Sequence, residues 1–240
     1  TMGHFIFGLP GETPETAEAT VRFAVGLGLD YLQCYAAVPY PKTELGALAE
    51  DDLDLDSIDI VVNTHLHFDH AGGNTVANGN GVLQSAFPKA TYYVQQGEYD
   101  DAVAANERTR ASYRRNNFSP VAQLNQWEFL HGDTELLPGI TTMVTAGHTP
   151  FHQSVKVESE GRIAFFLGDL IPTVSHLPLP YIMGYDLDPM QTLDTKRWVL
   201  DRAFAEDWLL IFEHDPLIQA GHLRRDTEGR YVLEEVNVWQ

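Results

Sequence analysis

The chain has 240 residues, 44% of them hydrophobic, enough to bury a full core as one large domain or a domain with an appendage. Its formal net charge of −19 works against non-specific nucleic-acid binding and against polyanionic substrates. No run approaches the ~20 apolar residues of a membrane span, and the start does not resemble a signal peptide. The single cysteine, Cys34, excludes an internal disulfide, and a cytoplasmic protein without membrane contact is expected.

In chain order, residues 4–9 read as a buried strand ended by Pro10-Gly11. Thr13-Pro14-Glu15 reads as a helix start, with Thr13 as N-cap and Pro14 in the first turn. That helix runs to Gly26 or Gly28, and residues 31–38 form a second strand, giving a strand–helix–strand unit. Acidic residues crowd positions 50–59, which marks a junction. Strands are expected at 58–63, 91–94, 127–130, 141–145, 153–158, 162–167 and 208–212, with helices over 98–117 and 189–205. Glu160-Gly161 and Glu228-Gly229 read as hairpin turns. Strands alternating with helices place the chain in the α/β or mixed class.

His65-Leu66-His67-Phe68-Asp69-His70 directly follows the apolar run 58–62. It sets three imidazoles and a carboxylate within six residues, donors suited to zinc and its neighbours. Three further residues stand where strands are expected to end: His148 after 141–145, Asp169 after 162–167 and His214 after 208–212. Strand ends hold side chains rigidly at one rim of a sheet, where a site can be assembled.

The segments His65-Leu66-His67-Phe68-Asp69-His70, Gly147-His148-Thr149-Pro150, Gly168-Asp169 and His214 resemble the successive motifs of the metallo-β-lactamase superfamily. The resemblance covers residues 51–240 and is strongest to its lactonase and methyl parathion hydrolase side, although Phe151 stands where that group has glycine. It implies an αββα sandwich and two divalent ions, zinc first, with manganese, iron or cobalt as alternatives. By motif, His65, His67 and His148 hold the first ion, Asp69, His70 and His214 the second, and Asp169 bridges them.

Residues 1–49 do not fit that pattern. Gly8-Leu9-Pro10-Gly11-Glu12-Thr13 and Tyr35-Ala36-Ala37-Val38-Pro39-Tyr40-Pro41 resemble a late barrel segment of cobalamin-dependent radical-SAM proteins. One cysteine cannot hold that family's iron–sulfur cluster, so neither the cluster nor SAM is expected. The chain therefore reads as two parts. Residues 1–49 are a structural βαβ segment that partly replaces an incomplete first sheet, and residues 50–240 are the catalytic domain. A homodimer is expected to cover the apolar surface this leaves.

The function the resemblance implies is hydrolysis of small neutral esters (lactones, aryl esters or phosphotriesters) by a hydroxide shared between two ions. Asp69 and Asp169 serve that chemistry, and Tyr185 is the hydroxyl chosen to polarise substrate. Phe151, His176, Leu177, Leu179, Tyr181 and Met183 are candidate pocket residues, against the simpler reading that they pack. His152 is the further histidine placed beside the ligands. A nuclease of the same superfamily and a catalytically disabled binding or scaffold chimera are the alternatives.

Overall fold

The computed structural model describes residues 2–7, 31–36 and 55–236. Strands β1 (Met2–Phe7) and β2 (Tyr31–Ala36) pair in a two-stranded sheet, close to the expected 4–9 and 31–38. The helix expected between them, most of the acidic stretch and the expected boundary at 49/50 lie outside the described residues. Between 55 and 236 the chain divides into two compact units, with the boundary along the chain at 131/132. Sheets and helices are mixed throughout, as the sequence pattern implies.

The first unit contains β3 (Ile60–Val62), α1 (Phe68–Ala71), β4 (Thr75–Ala77), β5 (Leu83–Ser85), β6 (Thr91–Gln95), α2 (Gln96–Val103), α3 (Ser119–Gln123) and β7 (Trp127–Leu130). Its main sheet has the order β3-β6-β7 and is parallel, with Val61 opposite Tyr92 and Tyr93 opposite Glu128. Val61, Val62, Tyr92 and Val94 are buried, while Thr91 and Tyr93 are partly exposed and Glu128 is exposed, so β6 turns alternate side chains to the core. Tyr92 satisfies its hydroxyl internally, 2.9 Å from Ser85 Oγ and accepting from Phe87 N at 3.1 Å.

One expectation changes here. The helix expected over 98–117 stops at Val103. Asn106 Oδ1 accepts from Arg108 N at 2.9 Å and from Thr109 N at 3.3 Å, so its side chain draws the backbone into a turn. Pro120 lies in the first turn of α3, where a missing N–H costs nothing.

The second unit contains β8 (Thr134–Leu137), β9 (Ile140–Val144), β10 (Gln153–Ser159), β11 (Arg162–Phe166), α4 (Pro189–Ala205), β12 (Leu209–Ile211), β13 (Ala220–Arg225) and β14 (Tyr231–Glu235). They form a seven-stranded sheet in the order β14-β13-β12-β11-β10-β9-β8. The β11–β12 pair is parallel and is joined by the crossover that contains α4, while the other pairings are antiparallel. Phe165, Leu167, Val199, Leu200, Ala203, Trp208 and Leu210 pack as its core. α4 has the bounds expected from sequence, because Asp188 caps it by accepting from Gln191 N at 3.0 Å and Pro189 opens it. β8 was not expected. It pairs with β9 through a turn at Gly139, whose φ of 81° favours glycine. Among the described residues no helix is long and apolar enough to cross a membrane.

Candidate metal centre

In the first unit β3 delivers the chain into the histidine cluster. Asn63 and Asn74 exchange side-chain amide hydrogen bonds at 3.3 and 3.1 Å across the base of this segment. Thr64 Oγ1 lies 3.1 Å from His65 Nδ1. The His65 ring centroid is 4.5 Å from that of His67 and 4.1 Å from that of His70. Asp69 and His70 lie on α1, because Ala71 N bonds back to His67 O at 2.9 Å. Asp69 is half-exposed, with Oδ2 3.6 Å from the Nε2 of buried His70.

The loop is held by residues distant in sequence. Glu98, fully buried at the start of α2, accepts from Leu66 N and from the Tyr113 hydroxyl, each at 2.9 Å, through one carboxylate oxygen. Leu66 stands between His65 and His67, so Glu98 fixes the backbone that carries both. Burial, reinforced by the Glu98 carboxylate, pushes the Tyr113 phenol far up, so it stays a donor. The Tyr113 ring lies 4.9 Å from that of His67. Phe68 N bonds to Ser112 O at 2.8 Å, and Asn117 Nδ2 donates to Phe68 O at 3.2 Å.

In the second unit Asp169 is the shared partner of two histidines. Its Oδ2 lies 3.1 Å from His148 Nε2 and its Oδ1 lies 3.1 Å from His214 Nε2. The other His148 nitrogen, Nδ1, lies 2.9 Å from Asp186 Oδ1. A carboxylate on Nδ1 holds the proton there. In the neutral imidazole the Nε2 lone pair would then face a second carboxylate oxygen. A cation held by both atoms resolves that opposition, so the donor set fits a divalent metal. Glu213 joins this set, since it offers a carboxylate oxygen within 4.8 Å of ligand atoms of Asp169 and His214.

His152 is fully buried and orders the backbone of Asp169. Asp169 N donates to His152 Nε2 at 3.1 Å, so the imidazole proton is on Nδ1, which lies 2.8 Å from Thr145 Oγ1. Thr145 Oγ1 is 2.8 Å from Ser154 Oγ, which donates to Leu167 O at 3.0 Å. One direction of donation satisfies every member: His152 to Thr145 to Ser154 to Leu167.

Both halves of the expected ligand set are thus built locally. His65, His67 and His70 stand together in one unit, and His148, Asp169 and His214 in the other; Asp69, expected as a ligand of the second ion, is not among the converging donors, and Glu213 is. Of the candidate pocket residues, Leu177 is buried in the core and Leu179 packs on it, as in the simpler reading. Tyr181 and Tyr185 are exposed. Glu98 and Asp186 were not singled out from sequence. Glu98 opens an acidic helix start that also holds Asp100 and Asp101, and Asp186 adjoins Tyr185, so neither stood out by residue type or spacing. Glu213 adjoins the expected ligand His214 and was passed over.

Residues 36–214 match the model of the Metallo-beta-lactamase superfamily, and the chain belongs to that family. It is 35% identical over 105 residues to "N-acyl homoserine lactonase AiiA" of Bacillus thuringiensis subsp. kurstaki, a stretch that is 44% of this chain and 35% of that relative. The solved structure of "a probable metal-dependent hydrolase from Staphylococcus aureus" is similar at a TM-score of 0.69 and 30% identity, over 80% of this chain and 68% of the other. An N-acyl homoserine lactone hydrolase with the product N-hexanoyl-L-homoserine bound at its catalytic metal centre is similar at 0.54 and 27%, over 70% and 60%. The chain therefore spans about a third of the length of the curated relative it matches. The family match begins at residue 36, inside the stretch 1–49 that was expected to be a separate radical-SAM-like segment, and that expectation finds no support; most of the stretch lies outside the described residues.

Proposed function

We propose that this protein is a dinuclear metal-dependent hydrolase that opens lactone rings, with N-acyl homoserine lactones as the first class to test. The proposed donors for the two ions are His65, His67 and His70 in the first unit and His148, Asp169, Glu213 and His214 in the second. The observation that carries the reading is Asp169, whose two oxygens face His148 and His214 while a second carboxylate holds the far side of His148. Family membership and the lactonases among its relatives support it.

Two divalent ions, when bound, lower the pKa of water and offset negative charge on a substrate oxygen. The chain's own residues do the rest. Glu98 and Asp186 keep His65, His67 and His148 in place before substrate arrives, so little reorganisation is needed. Asp69, half-exposed beside His70, is the proposed carrier of a proton to the leaving alkoxide oxygen. Exposed Tyr185 is the proposed hydroxyl donor to the substrate carbonyl. The acidic chain favours neutral substrates, so aryl esters and phosphotriesters are the classes to compare with lactones.

The test is elemental analysis of the purified protein together with proton release on a panel of a lactone, an aryl ester and a phosphotriester. Two metals per chain with kcat/KM highest on the lactone is the expected result. Two metals without turnover would make the chain a binding protein, and an Asp169→Asn variant with unchanged turnover would sink the mechanism.

A further inference from the structure

Lys196 is a fully buried cation that the hydrolytic chemistry above does not use. It lies in the middle of α4, and its ammonium donates to four backbone carbonyls of one loop: His176 O at 2.6 Å, Tyr181 O at 2.8 Å, Pro178 O at 3.0 Å and Leu179 O at 3.4 Å. An ammonium taken from water needs such oxygens around it. Three N–H groups shared among four carbonyls draw residues 176–181 into one curved cage.

Both ends of the same loop are fastened to metal-ligand candidates. At its start, His214 N donates to Pro172 O at 3.1 Å, and Val174 N donates to Asp215 Oδ2 at 2.9 Å. At its end, Asp186 holds His148 Nδ1, and Leu187 N donates to His148 O at 3.1 Å. The adjacent positions of α4 reach the same parts. Thr192 Oγ1 donates to Asp186 Oδ2 at 2.7 Å, and Thr195 Oγ1 donates to Ala146 O at 2.8 Å. One helix face therefore holds the loop, the carboxylate that orients His148 and the strand end before it.

We propose that Lys196 is a positioning residue: by gathering the carbonyls of residues 176–181 it sets the loop 172–187, and through Asp186 it sets the imidazole of His148. The proposal deepens the hydrolase reading, because it assigns the loop a role at a ligand of that site. Burial without a positioning role would make Lys196 replaceable by any side chain that fills its volume.

The experiment compares Lys196→Met and Lys196→Arg with the unaltered protein, using amide hydrogen exchange and the downfield proton resonance of His148 Nδ1–H. In Lys196→Met the amides of Leu177 and Tyr181 are expected to exchange about tenfold faster or more. The His148 Nδ1–H signal should broaden or vanish. Arginine keeps the charge and should restore both in part. Wild-type protection of the two amides in Lys196→Met, or an unaltered His148 signal, would overturn the proposal. If Lys196→Met does not fold, the unaltered protein decides. Leu177 and Tyr181 amides as protected as those of Val199 and Leu200 support the tether, and exchange at free-peptide rates overturns it. Neither readout requires bound metal, so a protein that binds no zinc would refute the hydrolase reading while the result on Lys196 still stands by itself.

Discussion

Asp186 bonds His148 and Thr192 with its two oxygens, Oδ1 at 2.9 Å from His148 Nδ1 and Oδ2 at 2.7 Å from Thr192 Oγ1. The imidazole is thereby tied to the first turn of α4, so a change at Asp186 should act through His148. Asp186→Ala is expected to weaken zinc binding about 10- to 100-fold. Asp186→Asn, which can still accept from Nδ1–H, should lose less. Competition with a chromophoric chelator measures both, and equal affinities in all three proteins would remove Asp186 from the site.

Glu98 accepts from two buried donors, Leu66 N and the Tyr113 hydroxyl. Glu98→Leu leaves both unsatisfied, at about 1–3 kcal/mol each. Tyr113→Phe removes one donor without orphaning a backbone group and should cost about 1 kcal/mol. Urea unfolding should therefore rank Glu98→Leu well below Tyr113→Phe; the reverse order would show that the clamp is not what holds the loop.

Gly147 precedes His148 with a φ of 140°, and a Cβ there would lie 2.3 Å from Thr192 Oγ1 and 2.5 Å from Thr192 Cα and N. Two of those three atoms are backbone of α4 and cannot swing aside. Gly147→Ala is expected to cost about 2 kcal/mol or more, and to move His148 off Asp186. A variant with an unchanged thermal midpoint and unchanged zinc affinity would contradict the close approach.

Burial pushes the Lys196 ammonium down to about 8, with the Asp186 carboxylate acting in the opposite sense. In the unfolded chain a lysine keeps its proton to about 10.4. Between those values the unfolded state binds more protons, so the contribution of Lys196 to stability rises with pH through that window and its cost is carried below it. Relative to Lys196→Met, the unaltered protein should gain on the order of 1–3 kcal/mol between pH 7 and pH 10. Urea midpoints at pH 7, 9 and 10 measure the slope, and parallel profiles would count against a depressed lysine.

The metal chemistry was legible because it depends on residue type and short spacing. His65 to His70 lie within six positions, and His148, Asp169 and His214 each follow a run of strand residues that the structure forms as β9, β11 and β12. α4 was legible to the residue, since Asp188 and Pro189 mark its start in the sequence itself. The helix expected over 98–117 was misjudged, because an Asx turn at Asn106 is a three-residue competition that periodicity does not register.

The sequence by itself determined the family, the donor types and the strand ends that carry them. Local signals suffice for these: a ligand motif, a cap and an alternation of burial are each written in a few consecutive residues. Only the tertiary structure decided what holds the donors. Glu98 stands 32 positions from Leu66, Asp186 38 from His148, and Lys196 up to 20 from the carbonyls it gathers. A buried charge draws its meaning from the partners that satisfy it, and those partners are neighbours only after folding.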